Sequence, residues 1–133
     1  MARYLLDTNI LVAYGKRRHE VEQRLLQLPA ADILLSSVVL AEIEYGIAKS
    51  TLPERNRRFY DVLLRGFDVL EFGEAAAKHY GALRADLERR GQIIGPNDLM
   101  IAAQALASGA VLVTDKVGEF SRVGGLLVEN WLA

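Results

Sequence analysis

The chain is 133 residues long, 51% hydrophobic and 25% charged, and its 16 Lys and Arg against 17 Asp and Glu leave a formal net charge of −1. This is the size of one ordinary domain with a substantial core, and the balance excludes a disordered polyelectrolyte or two full-sized domains. There is no cysteine, so disulfides and thiolate metal sites are excluded too.

Tyr4-Leu5-Leu6 is a short apolar run closed by Asp7-Thr8-Asn9, the pattern of a buried strand entering a turn or a helix cap. The run is too short for a signal peptide, and no apolar stretch approaches membrane-spanning length, which predicts a cytoplasmic chain without a membrane segment. Residues 10–14 begin a helix, and residues 21–28 repeat apolar side chains at helical spacing before Pro29. Ile33-Leu34-Leu35 predicts a second buried strand, and Ser36-Ser37 suits the N-cap of the next helix. That helix runs over residues 38–49, with Leu40, Ile43 and Ile47 on one face and Glu42 in or near its first turns.

After Thr51-Leu52-Pro53 a helix over residues 54–64 is expected to turn Phe59, Val62 and Leu63 inward. Residues 67–72 largely alternate, as a strand does. Residues 74–90 form a long helical pattern ending at Gly91, and Gly95-Pro96-Asn97-Asp98 opens another helix that closes at Gly109. Val111-Leu112-Val113-Thr114 is a strand ending at Asp115, and residues 126–128 predict a last one. Apolar strands alternating with helices indicate a single α/β domain over residues 1–133, with a parallel sheet of four or five strands and helices on both faces.

The acidic residues are informative for where they fall. Asp7 and Asp115 end strands, Glu42 and Asp98 lie near helix starts, and Glu119 follows one short loop later. Singly, each has a structural explanation as a cap, a dipole partner or a solvated charge. Together they are candidates for one rim, because ligand crevices of parallel sheets lie outside the carboxyl ends of the strands. Crowded carboxylates repel unless a cation holds them, and an oxygen-only set predicts Mg²⁺ or Mn²⁺ rather than zinc.

Other chemistries find little support. His19 and His79 sit among charged helical neighbours, as surface histidines do. Ser36, Ser37 and Ser108 lack a nucleophile-elbow context, and no phosphate-binding glycine loop occurs. The basic groups Lys16-Arg17-Arg18, Arg55-Arg57-Arg58 and Arg84-Arg89-Arg90 each predict a solvated helix face, although their segregation would suit phosphate contacts.

Four segments carry a family likeness. Leu5-Leu6-Asp7-Thr8-Asn9-Ile10-Leu11 resembles the opening of PIN-domain nucleases, and Ser36-Ser37-Val38-Val39-Leu40-Ala41-Glu42-Ile43-Glu44-Tyr45-Gly46-Ile47 resembles the second motif of their VapC toxin branch. Ile94-Gly95-Pro96-Asn97-Asp98-Leu99-Met100-Ile101-Ala102-Ala103 is similar to the third. Val111-Leu112-Val113-Thr114, with Glu119-Phe120-Ser121-Arg122-Val123-Gly124-Gly125-Leu126 and Glu129-Asn130-Trp131, is similar to the fourth motif and tail.

The resemblance covers essentially the whole chain. It implies a metal-dependent endoribonuclease, the toxin of a type II toxin–antitoxin pair, that cuts RNA (often tRNA) and is silenced by a VapB-type antitoxin. It further implies a homodimer. Asp7, Glu42 and Asp98 carry over as the acidic cluster. The family commonly has Asp or Asn two residues after the strand-ending Thr, where this chain has Lys116. That leaves the fourth acid open between Glu119, which is favoured, and Asp115.

On this reading Asp7 and Asp98 hold the metal most directly, and Glu42 ligates it or positions its waters. Glu42 or Glu119 steers the attacking water, and Thr114 hydrogen-bonds an acidic ligand. Thr8 and Asn9 suit capping equally, and Arg84 either touches phosphate or forms a surface ion pair. Two rival functions are an RNA-binding regulatory module that has lost turnover, with Lys116 as its symptom, and a metal-dependent phosphatase. The absence of a second Asp two residues after Asp7 counts against the latter. Val39, Ile43 and Ile47, or residues 52–59, are either core or the antitoxin's docking surface.

Overall fold

The computed structural model describes residues 2–133. Five strands, β1 (Tyr4–Leu6), β2 (Ile33–Ser36), β3 (Asp68–Leu70), β4 (Val111–Val113) and β5 (Val128–Glu129), form one sheet in the order β3-β2-β1-β4-β5. Every neighbouring pair is parallel, and Leu5 stands beside Leu34 on one side and Leu112 on the other. Leu5, Leu6, Leu34, Leu35, Leu112 and Val113 are all buried, which explains why these strands are continuous apolar runs.

The helices between them are α1 (Thr8–Gly15), α2 (His19–Leu26), α3 (Ser37–Lys49), α4 (Pro53–Leu63), α5 (Glu74–Arg89), α6 (Pro96–Ser108) and the short α7 (Val117–Phe120). The steps β1 to β3 and β3 to β5 run in opposite directions across the sheet. Right-handed crossovers therefore set α1–α4 on one face and α5–α7 on the other. The reversal falls between β1 and β4, and a crevice opens there beyond the strand ends.

Local chemistry sets the boundaries. Asp7 caps α1 by accepting from the Thr8 N–H, and Ser36 Oγ caps α3 by accepting from the Val38 and Val39 N–H groups. Pro96 sits in the first turn of α6, where its missing donor costs nothing. At the other end Gly109 takes φ +67, and the Ala110 N–H reaches back to the Ala105 carbonyl.

Some expectations need correction. Phe59 and Val62 do not turn inward but remain 45% and 63% exposed. The reason is layering: α4 rests on α3 rather than on the sheet, so no residue of α4 is fully buried. The strand expected over residues 67–72 pairs only at Asp68–Leu70, on the sheet's edge, and α7 was not anticipated. His19 and His79 lie exposed on their helices, as expected.

Candidate active site at the carboxyl edge of the sheet

Asp7 follows β1 directly, is only 1% exposed, and donates its N–H to the Val113 carbonyl at 2.9 Å, which locks it between β1 and β4. A carboxylate so buried needs donors, and three are present. Oδ1 accepts from the Thr8 N–H at 2.8 Å, and Oδ2 accepts from Thr114 Oγ1 at 2.8 Å and Asn9 Nδ2 at 3.1 Å. The expected Thr114 contact to an acidic side chain is thus present. Asn9 also accepts the Asp115 N–H at 3.1 Å, strapping the turn after β1 to the turn after β4.

Asp98 stands in the first turn of α6 with its side chain 13% exposed. Burial pushes its carboxyl up to about 6; the hydrogen bond and charge of Lys116 oppose this, while the charges of Glu119 and Asp7 add to it. Lys116 Nζ lies 3.1 Å from each Asp98 oxygen. Burial alone would pull the Lys116 ammonium down. Its bond to Asp98 and the charges of Asp7, Asp98 and Glu119 hold it above its ordinary value instead.

Glu119 approaches from α7, where its Oε1 accepts the Gly95 N–H at 3.2 Å, at the start of α6. Glu42 belongs to α3 and accepts a hydrogen bond from Thr8 Oγ1 at 2.8 Å, so Thr8 serves Glu42 with its side chain and Asp7 with its backbone. The structure therefore gathers Asp7, Asp98 and Glu119 about Lys116 and tethers Glu42 beside them. Asp115 is exposed, and its carboxylate is not among the charges acting on Asp98 or Lys116. Arg84 bonds Tyr80 and pairs with Glu88 on the surface of α5.

A supporting network escaped the sequence reading. Gln104, 1% exposed on α6, accepts from Ser36 Oγ and donates to the Leu70 carbonyl at 2.9 Å and to Ser37 Oγ at 3.4 Å. It ties the helix that carries Asp98 to the end of β3 and the start of the helix that carries Glu42. The available signal was one amide inside the apolar run Ile101-Ala102-Ala103-Gln104-Ala105.

As placed, no three acidic or histidine side chains among the described residues are close enough to ligate one ion. The donor set nevertheless suits a hard cation. Formally, three carboxylates against the Lys116 ammonium, which lies on Asp98, leave an excess of two negative charges.

The PIN domain profile matches residues 4–126. The chain is 42% identical over 130 residues to ribonuclease VapC2 of Rickettsia felis, covering 96% of this chain and 97% of that one. It is 40% identical over 131 residues to the tRNA(fMet)-specific endonuclease VapC of Shigella flexneri, covering 98% and 99%. Its fold superposes with a TM-score of 0.91 on the crystal structure of VapBC2 from Rickettsia felis bound to a promoter DNA fragment, at 41% identity and covering 96% and 98%. The chain belongs to the PIN-domain family, in its VapC ribonuclease branch.

Proposed function

We propose that residues 1–133 act as one nuclease domain, an endoribonuclease toxin that cuts RNA, tRNA included, and that a VapB-type antitoxin restrains. The observation that carries this reading is the convergence of Asp7, Asp98 and Glu119 where strand order reverses, in a chain similar to VapC ribonucleases throughout its length. Asp7, Asp98 and Glu119 would hold one divalent cation, Mg²⁺ or Mn²⁺, with Glu42 at its margin. Such a cation supplies Lewis acidity and neutralises charge at the scissile phosphate.

The chain's own residues do the rest. Thr8, Asn9 and Thr114 fix the Asp7 carboxylate in one orientation, so little is reorganised when RNA arrives. Glu42, held by Thr8, is positioned to take the proton of the attacking water. Lys116 holds an ammonium beside the carboxylates, a group suited to a non-bridging phosphate oxygen.

The antitoxin is expected at the exposed residues Leu52 and Phe59, since Val39, Ile43 and Ile47 are spent in the core. The solved Rickettsia felis relative is a VapBC complex, which supports such a partner. We place the protein in the cytoplasm as a homodimer. No helix among the described residues is long and apolar enough to cross a membrane.

The test is cleavage of total RNA with and without Mg²⁺ or Mn²⁺, comparing wild type with Asp7→Asn and Asp98→Asn. Metal-dependent cleavage lost in both variants is expected, and full activity in either overturns the assignment. The ammonium seated on Asp98 favours one second reading, an RNA-binding module without turnover. Metal binding without cleavage would select it.

A further inference from the structure

Next to the carboxylates, a groove of about 690 Å³ runs between α3 and the start of α6, sharing Thr8 and Glu42 with the site. Tyr45 lines it and is 66% exposed. The other tyrosines, Tyr4, Tyr14, Tyr60 and Tyr80, each pack against a second aromatic ring; Tyr45 alone has no aromatic partner among the described residues. Lys49, one turn further along α3, places Nζ over the Tyr45 ring, 4.9 Å from its centroid, and makes no ion pair among the described residues. Half of the 16 Lys and Arg, namely Arg17, Arg18, Arg24, Arg57, Lys78, Arg84, Arg90 and Lys116, sit against carboxylates, and Lys49 belongs to the other half. Between Tyr45 and Lys49, Gly46 leaves open space, for a Cβ there would meet nothing within 4 Å.

A ring with no second aromatic on it, an ammonium that lies over it without a carboxylate, and an open floor beside the proposed phosphodiester-cleaving centre suit one kind of occupant. We propose that this groove is a nucleotide subsite for single-stranded RNA. It takes the unpaired base next to the scissile phosphate on the Tyr45 ring and the adjoining backbone phosphate on Lys49. Aromatic faces bind unstacked bases of any sequence, and a neighbouring cation tracks the backbone. The Asn97 amide on the opposite wall offers a donor and an acceptor to a base edge. A partner helix would need a row of apolar anchors. This groove also carries Val38, Ala41 and Met100, but Tyr45 is its one exposed large apolar side chain, set beside Thr8, Glu42, Lys49 and Asn97.

The inference rests on the ribonuclease reading, and the test separates the two. The whole chain is titrated, with Ca²⁺ in place of Mg²⁺, against a fluorescent mixed-sequence single-stranded RNA dodecamer and an abasic ribose–phosphate dodecamer of equal length. Tyr45→Ala is expected to weaken RNA binding roughly tenfold while leaving the abasic strand unchanged, and Tyr45→Phe to bind both as wild type does. Lys49→Gln is expected to weaken both and to lower the slope of log affinity against log salt by about 0.7.

Equal losses on both strands with Tyr45→Ala, or no loss on RNA, overturn the subsite alone provided wild type still cleaves RNA. An unchanged RNA affinity with weakened antitoxin binding would give the groove to the protein partner and overturn it as well. If wild type neither binds nor cleaves RNA, both readings fall. Each variant's thermal melt is recorded, so a folding defect is not mistaken for lost contact.

Discussion

Lys116 closes on Asp98 with its ammonium 3.1 Å from both carboxylate oxygens. An internal cation thereby occupies a carboxylate proposed to hold an external one. Lys116→Ala frees Asp98 and removes a like charge from the cation's approach. Binding of Mn²⁺, followed by calorimetry, is expected to tighten roughly five- to tenfold, as befits a pair whose lysine is partly exposed. Weaker binding in Lys116→Ala would mean that the ammonium organises the site instead of competing for it.

Asp98 also makes stability depend on pH. Its folded value is raised from 3.8 to about 6, so the folded state favours the protonated form. The contribution is complete below 3.8 and is lost as pH climbs through 6. In EDTA, Asp98→Asn, which mimics the neutral acid, should therefore be more stable than wild type at pH 7.5, on the order of 2 kcal/mol. The gap should close by pH 4. Urea unfolding at several pH values measures it, and a gap that widens on acidification would reverse the sign.

The two candidates for the fourth acid separate cleanly. Glu119 bears electrostatically on Asp98 and accepts from Gly95 N–H, whereas Asp115 is exposed and does not. Glu119→Gln is expected to lower Mn²⁺ affinity and RNA cleavage about tenfold or more, and Asp115→Asn to leave both near wild type. The opposite ranking in a side-by-side assay would restore Asp115.

Thr114 is fully buried and gives one of the three hydrogen bonds that hold Asp7. Thr114→Val keeps the shape and removes the donor. A loss of about 1–2 kcal/mol in unfolding free energy is expected, with metal affinity down roughly tenfold because Asp7 is no longer fixed. Unchanged metal affinity at lowered stability would confine Thr114 to folding.

Much of this was visible along the chain. The runs at Tyr4, Ile33 and Val111 are apolar throughout, and a strand buried on both faces can be written in few other ways. Ser36 before α3 and Gly109 after α6 mark helix ends by hydrogen-bonding capacity and positive φ, both local properties. Asp7, Glu42 and Asp98 could be placed near one rim because strand ends and helix starts share it. Local pattern alone misjudged Phe59 and Val62. Helical periodicity finds the apolar stripe of α4 but not whether sheet or solvent lies beneath it, and α3 had already taken the sheet.

What the sequence by itself determined is therefore the alternation of elements, the single α/β domain and the acidic residues that reach its carboxyl edge, since these follow from burial and capping along the chain. Which carboxylates meet was decided only by the tertiary structure. The pairing of β1 with β4 brings Thr114 onto Asp7, and the packing of α7 against the start of α6 brings Glu119 and Lys116 onto Asp98. Those contacts join residues 18 to 107 positions apart, a distance over which no local preference acts. The acidic rim was thus legible as a list of residues, but the lysine bound within it emerged only from the fold.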